Sequence, residues 1–344
     1  MIGPRKWSLS IWHVLPWLLL AAFAWLVVSR IQEIERLARS IARGSWQLIL
    51  FAALLQVAYY LLYSLLYQTT FAIVELNKDA WELLLVLLSS LFINVVAPLG
   101  GMAGIALFAD DASLSGRSPA RATAGILLVN LVVFIAFSII LIAGLAYLFL
   151  LKHLQQWQVA AAIILLLSTV CLAFLLLLAR WKPRLLEMLL LSVQKVVGRF
   201  SSRIKRPSPL GGNWAVKNIA EFASAARAIG MKPWLLGLSL LIAFIAHLTS
   251  MLSLYVVFLA FRNPISFPVL VAGYSMATLF TIISPTPQGI GLVEGIMPLV
   301  FRSLNVRYRT ALWASLTFRS LTFWIPLMIG FFLFRYLRTF KDRK

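Results

Sequence analysis

Long apolar runs separated by short polar segments follow one another along the whole chain. Most of them reach about 20 residues, the length an α-helix needs to cross a hydrocarbon layer about 30 Å thick. The pattern predicts an all-α, polytopic membrane helix bundle of about eight long membrane stretches. They fall at 11–29, 46–68, 81 to a break at 95–104, 119–150, 157–179, 233–261, 267–283 and 310–337.

The polar segments set the expected organisation. Residues 11–29 predict an uncleaved signal-anchor, because further spans follow, and residues 30–45 predict a short interfacial helix. Residues 180–232 form a basic linker with two amphipathic segments, and residues 338–344 form a basic tail. Both are expected in the cytoplasm. Residues 1–344 are therefore predicted to form a single transmembrane domain without a separate soluble domain.

Composition supports a membrane class. Hydrophobic residues make up 62% of the chain and charged residues only 12%, against about 45–50% and 25% in soluble domains. The net charge of +20 fits basic residues that flank spans and meet anionic headgroups, so nucleic acid is not an expected partner. Cys171 is the single cysteine and lies in a span, which predicts a small apolar filler and excludes an intramolecular disulfide.

Proline and glycine interrupt two of the stretches, at 95–104 and 284–295. Such breaks free backbone groups that survive in a membrane only when they are buried in protein or line a wet cavity. A shift of 189 residues superposes the two breaks and predicts a repeat with halves at about 80–150 and 267–337. The matched pairs are Pro98 and Pro287, Gly100 and Gly289, Ala122 and Ala311, Asn130 and Arg319, and Phe134 and Phe323.

The number of membrane crossings has two solutions. If the basic linker and the tail share the cytoplasmic side, an even number of crossings lies between them. The chain then makes either six crossings with two re-entrant hairpins or ten crossings. Both solutions keep the chain ends inside and give two repeats of inverted orientation. The short apolar pieces after each break favour the hairpins.

Ionisable and polar groups within the stretches are candidates for function. Glu294 and Arg319 are expected at similar depth, either as a structural ion pair or with Arg319 binding a lipid phosphate. Asn94 and Asn130 are expected near the first break, where hydrogen bonding between helices is the simpler role. For His247 a hydrogen-bonded structural role is favoured over a proton relay.

No chemical motif predicts catalysis. The chain has no nucleotide-binding loop, no hydrolase motif and no set of metal-ligand spacing. Asp110 and Asp111 are interpreted as marking the water boundary rather than a cation site. We therefore predict no cofactor and no enzymatic activity.

Three features together resemble a known family. They are the pattern N-x-x-x-P-x-G-G-x-x-G at 94–104, the segment PTPQGIGLVE at 285–294, and Arg319 followed by W-I-P at 324–326. They are similar to the lysylphosphatidylglycerol synthase transmembrane region, also described as flippase-like membrane proteins of bacteria and archaea. Full-length synthases of that family carry a cytoplasmic aminoacyl-transferase domain as well. The resemblance covers roughly 10–337 and implies a lipid-handling membrane module without lysyl transfer.

These observations lead to a functional hypothesis. The leading interpretation is translocation of an anionic, aminoacylated or polyprenyl-linked lipid without a nucleotide motor, in the cell membrane. The alternatives are an accessory subunit that presents a lipid carrier to a glycosyl- or aminoacyl-transferase, and a membrane-embedded enzyme. The expected partners are membrane lipids and possible lipid-modifying transferases. The candidate substrate-binding residues are Asn94, Pro98, Gly100, Asn130, Pro287, Gly289, Gly291, Glu294 and Arg319.

Overall fold

The computed structural model describes residues 45–96, 102–151, 154–181 and 231–341, together with positions 188 and 228. Within these residues every regular element is helical, which confirms the all-α class. Several predictions lie outside the described residues. They concern the stretch at 11–29, the interfacial helix apart from Ser45, nearly all of the basic linker, the end of the tail, and the site residues Pro98 and Gly100.

Ten α-helices make up the described part of the chain. In order they are α1 (Trp46–Ile73), α2 (Ala80–Val96), α3 (Met102–Leu114), α4 (Pro119–Leu150), α5 (Gln156–Trp181), α6 (Pro233–Ala260), α7 (Phe267–Ile283), α8 (Leu292–Ser303), α9 (Tyr308–Arg319) and α10 (Ile325–Lys341). A π-helical turn at Ser320–Trp324 joins α9 to α10 without interruption. By length and composition, five helices can cross a membrane: α1, α4, α5, α6 and the joined α9–α10.

Helices α2 and α3 form the first hairpin. At its closed end the amide of Gly104 donates to Oδ1 of Asn94 over 2.6 Å. At its open end Lys78, just before α2, forms an ion pair with Asp111 near the end of α3. The 17 residues of α2 rise only about 25 Å at 1.5 Å per residue. The Lys78–Asp111 pair brings the two outer ends of the hairpin together, so the chain reverses direction between α2 and α3.

Helices α7 and α8 form the second hairpin around a single 3-10 turn, Pro287–Gly289. Gln288, Gly289 and Gly291 all have positive φ, at 54°, 74° and 80°. A Cβ atom on Gly289 would lie 2.5 Å from Cγ2 of Val293 and 3.3 Å from Cα of Thr281. Glycine is therefore required there for both conformation and space. Farther down, the ring of Phe301 on α8 packs against the bare backbone of Gly273 on α7.

Each hairpin packs against a long helix that is distant from it in the sequence. Helix α2 of the first hairpin lies along α10, and α7 of the second lies along α4. A glycine allows each close approach: Gly330 on α10 sits against the Leu88 carbonyl, and Gly144 on α4 sits against Ser275. The 3-10 turn of the second hairpin also contacts α2. The turn end of the second hairpin thus meets the first hairpin in the interior.

The pair α1 and α6 has the most extensive helix contact in the described chain. The amide of Ser45 donates to the Ala260 carbonyl over 3.0 Å at one end of the pair. Near the other end, Ser239 Oγ donates to Thr69 Oγ1 over 3.0 Å, and Lys232 reaches the Ala72 carbonyl. The two helices therefore run antiparallel along their whole length.

The structure corrects the end of α1, which was expected near residue 68 but continues to Ile73. Polar residues at 68–70 gave the false end. The hydroxyl groups of Thr69 and Thr70 both donate back to the Leu66 carbonyl, at 3.0 and 2.8 Å. Because their hydrogen bonds are made within the helix, these residues do not terminate it.

Two further residues differ from expectation. Asp111 is buried and paired with Lys78 instead of marking the water boundary, because the hairpin brings its two open ends together. Asp110 beside it is exposed, as expected at a boundary. Cys171 lies in α5 as predicted, but it is exposed rather than a packed filler. Among the described helices, α5 contacts mainly α4 and α7, and Cys171 does not face either of them closely enough to be buried.

Candidate functional site

A cavity of about 320 Å³ lies among the long helices and the two hairpins. Its walls combine apolar side chains with an unusual number of polar ones for a membrane interior. Polar groups in such a place are expensive and are candidates for function. The polar residues that line it are Tyr59, Tyr60, Tyr63, Asn130, His247, Ser250, Tyr274, Thr278, Thr281, Gln288, Arg319 and Thr322.

Among the described residues that line this cavity, Arg319 is the one arginine or lysine. It is the last residue of α9 and is only 5% exposed. Its Nε donates to Oε1 of Glu294 over 2.8 Å, and its Nη2 donates to the Gln288 carbonyl over 3.0 Å. The ring of Phe323 lies 4.6 Å from the guanidinium carbon. A buried guanidinium without these partners would be strongly destabilising.

Glu294 connects the second hairpin to Arg319. While Oε1 accepts from Arg319, Oε2 accepts from the Gly291 amide over 2.9 Å. Glu294 lies in the first turn of α8, where the partial positive charge of a helix N-terminus favours a carboxylate. The carboxylate thus fixes the backbone of the break and the guanidinium together. Glu294 pairs with Arg319 on the side away from the cavity and is not itself a lining residue.

The π-helical turn follows Arg319 directly. Such a turn shifts the backbone hydrogen-bond pattern and often occurs at functional sites. The hydroxyl of Tyr60 on α1 donates to the Thr322 carbonyl within the turn over 2.9 Å. The wide turn is therefore tied to α1 across the cavity. The sequence around 320–324 gave no signal for it.

Three tyrosines of α1 form one wall. The ring centroids of Tyr59 and Tyr60 lie 5.2 Å apart, and those of Tyr59 and Tyr63 lie 4.8 Å apart. These tyrosines were not among the predicted site residues. Their spacing, Tyr-Tyr-x-x-Tyr, places Tyr59 and Tyr63 on one helix face and is the signal that could have identified them.

His247 on α6 and Tyr274 on α7 form the cavity wall beside α4, where the ring centroids of Phe137 and His247 lie 5.5 Å apart. Nδ1 of His247 lies 2.9 Å from the Tyr274 hydroxyl oxygen. This contact agrees with the favoured hydrogen-bonded role. The residue also lines the cavity, which the sequence could not indicate because His247 is remote from both breaks.

The predicted site residues occupy three kinds of position. Asn130 and Arg319 line the cavity from α4 and α9. Pro287, Gly289 and Gly291 shape the break that carries Gln288 and Glu294. Asn94 instead holds the closed end of the first hairpin through Gly104. Within the described residues, no group of three or more His, Cys, Asp or Glu could hold a metal ion.

Comparison with known proteins agrees with this architecture. Residues 11–330 match the family described as the lysylphosphatidylglycerol synthase TM region. A UPF0104 membrane protein of Methanothermobacter thermautotrophicus (strain Delta H) is 28% identical over 110 residues. That alignment spans 32% of this chain and 32% of the relative, so it covers about a third of the relative's length. Because the family match extends over most of the sequence, the chain belongs to the family of the lysylphosphatidylglycerol synthase TM region.

Proposed function

We propose that this chain translocates an anionic lipid across the cell membrane without a nucleotide motor and without enzymatic activity of its own. Aminoacylated and polyprenyl-linked lipids fall within this class. The observation that carries the proposal is the buried guanidinium of Arg319 on the wall of the central cavity. It is held in place by two groups of a helix break, Glu294 and the Gln288 carbonyl.

A phosphate is the ligand that suits Arg319 best. A guanidinium offers five N–H donors in a planar fork that matches phosphate oxygens. Glu294 and Gln288 engage one donor each, so the remaining donors are available to a headgroup. Tyr59, Tyr63 and Asn130 line the same cavity and are the further side-chain donors proposed for the headgroup, whereas the Tyr60 hydroxyl donates to Thr322. The acyl chains would stay in lipid beside the apolar outer surfaces.

An inverted repeat would give this cavity access from both sides. We propose that α1–α4 and α6–α10 are two copies of one unit in opposite orientation. The proposal is supported by the antiparallel pairing of α1 with its counterpart α6 and by the packing of each hairpin on the long helix of the other half. If both α1 and α6 cross the membrane, the axis that relates them lies in the membrane plane.

The function is tested with purified full-length chain in liposomes. A panel of fluorescent lipids should include phosphatidylglycerol, phosphatidylethanolamine and a polyprenyl phosphate, and dithionite quenching should follow exchange between leaflets. We expect wild-type protein to accelerate exchange of an anionic lipid. Arg319→Ala should slow it at least about tenfold, because a hydrogen bond to a charged group is worth about 1.5–3 kcal/mol.

Two control proteins separate transport from folding. Arg319→Ala leaves Glu294 buried and unpaired, so the double variant Arg319→Gln with Glu294→Gln keeps the pair neutral and should also be inactive while folded. Arg121→Ala removes an arginine from an exposed ion pair with Glu75 and should exchange lipid like wild type. Wild-type vesicles that match empty ones across the panel would refute the proposal. A transferase that copurifies stoichiometrically with an inactive chain would support the accessory role instead.

A further inference from the structure

His247 has one ring nitrogen that its surroundings leave unused. The residue is 3% exposed, in the middle of α6. Nδ1 is engaged with Tyr274, whereas Nε2 is buried without a hydrogen-bond partner among the described residues. The Val133 backbone on α4 lies close to the ring and favours a proton on it, although the contact does not meet hydrogen-bond geometry at Nε2. A buried polar atom of this kind on a cavity wall indicates a missing ligand.

The proposal uses the tautomer with the proton on Nδ1. Ser250 and Thr278 hydrogen-bond with the Tyr274 hydroxyl, and each of these hydroxyl groups can donate or accept. When Tyr274 donates to one of them, its oxygen accepts from Nδ1–H, which leaves Nε2 as a bare acceptor in the neutral ring. Nε2 can take up a proton without disturbing the contact with Tyr274.

The charges around the cavity determine when His247 can bind that proton favourably. Five titratable groups on the helices around α6 face the cavity: Tyr59, Tyr60, Tyr63, Tyr274 and Arg319. Glu294 is the ion-pair partner of Arg319. The tyrosines are neutral, and Arg319 and Glu294 offset each other. A proton on His247 in the empty cavity would therefore be an uncompensated buried charge. A bound phosphate diester, with one negative charge, would compensate it.

We infer that His247 binds a proton together with the anionic headgroup, so that lipid and proton cross the membrane as a neutral pair. This inference rests on the proposed lipid translocation and adds its energy source. On the loading side a proton from water binds Nε2, and Nε2–H donates to a phosphate oxygen. On the opposite side the headgroup leaves and the proton returns to water. No other bond forms or breaks, and each ligand raises the affinity for the other.

The experiment measures the steady-state ratio of fluorescent phosphatidylglycerol between the two leaflets of proteoliposomes. A pH gradient is imposed while potassium and valinomycin hold the membrane potential at zero. With one proton per lipid, the ratio should shift by about tenfold per pH unit, because one pH unit corresponds to a factor of ten in equilibrium. A potassium diffusion potential without a pH gradient should leave the ratio unchanged, since the pair carries no net charge.

Variants then assign the effect to one residue. His247→Gln should lose the response to the pH gradient, and this ratio does not depend on how fast the variant moves lipid. His153→Gln, at a histidine outside the described residues, should respond like wild type. A second measurement in detergent checks the coupling without transport. Wild-type protein should take up about one proton per bound dihexanoyl-phosphatidylglycerol in weak buffer, and His247→Gln should take up none.

The outcomes separate the two ideas. Lipid exchange by wild type that ignores the pH gradient, or that follows the membrane potential, would overturn proton coupling and leave translocation intact. A His247→Gln protein that retains the pH response would overturn the assignment to His247. Absence of lipid exchange by wild type would overturn the proposed function itself.

Discussion

At the scale of single residues, the second break depends on a few backbone positions and one carboxylate. Glu294 accepts from both Gly291 and Arg319, so the shape of the turn and the direction of the guanidinium are set together. Gly289 has a left-handed conformation, and Val293 and Thr281 enclose it. The geometry of the site therefore rests on the turn at least as much as on the charged groups.

Replacing Gly289 with alanine should destabilise the protein and reduce lipid exchange. The new Cβ would enforce a strained conformation and displace Val293, which costs about 1–3 kcal/mol. Gly295→Ala is the matched control, because nothing lies within 4 Å of a Cβ there and the residue is inside α8. Thermal unfolding in detergent measures both. Equal melting temperatures for the two variants would contradict the role given to Gly289.

At the scale of elements, the two halves of the proposed repeat have similar backbone features at corresponding positions. Gly116 and Asn305, 189 residues apart, both adopt a left-handed conformation just after α3 and α8, with φ of 67° and 64°. Earlier in each half the offset is 187, as between Trp46 and Pro233, which begin α1 and α6. The second break is thus two residues longer than the first. Those residues accommodate the 3-10 turn that carries Gln288.

The close contacts of Gly330 with Leu88 and of Gly144 with Ser275 can be tested by substitution. Gly330→Ala should be strongly destabilising, because the Cβ would collide with the backbone carbonyl of Leu88. Gly144→Ala meets mainly the Ser275 side chain, so adding Ser275→Gly should recover part of the lost stability. Gly237→Ala in α6, where a Cβ has open space, should be neutral or slightly stabilising. Thermal unfolding of the four proteins checks this order. A Gly330→Ala protein as stable as Gly237→Ala would refute the close packing of α2 on α10.

The sequence was sufficient for most of the fold but for less of the site. Runs of apolar residues located the long helices, and proline and glycine located both hairpins, because these signals are local. The pairing of Glu294 with Arg319 was one of two open interpretations. The tyrosines of α1, the cavity position of His247 and the π-helical turn were missed. They come together only through packing between residues far apart in the chain, which periodicity does not report.

At the scale of the whole molecule, the two hairpins open on opposite sides if the repeat is inverted. The open end of the first contains the Lys78–Asp111 and Arg121–Glu75 pairs. The open end of the second contains Arg302, which lies over the ring of Tyr308 at 5.9 Å. Five long helices in the described chain and the predicted stretch at 11–29 would account for six crossings.

Single cysteines test this arrangement. In a Cys171→Ala background, cysteine at Asn77 and at Ser115 should react with a membrane-impermeant maleimide from the same side, because both flank the first hairpin. Cysteine at Ser303 should react from the opposite side. Labelling of intact and opened vesicles distinguishes the sides. Asn77 and Ser115 on opposite sides would contradict the first hairpin, because both crossing counts return the chain to one side there, and Ser303 on their side would contradict inversion.

The antiparallel pair α1–α6 also has a consequence for biosynthesis. Helix α1 emerges from the ribosome early, yet the helix that covers most of it is not complete until Ala260 has been made. During that interval the Thr69 hydroxyl and the Ala52 carbonyl of α1 would lack their partners on α6, Ser239 and Ser253. We therefore expect the nascent chain to remain near the insertion machinery until Ala260 has been synthesised. Nascent chains halted after α5 would be the ones that membrane quality control recognises and removes.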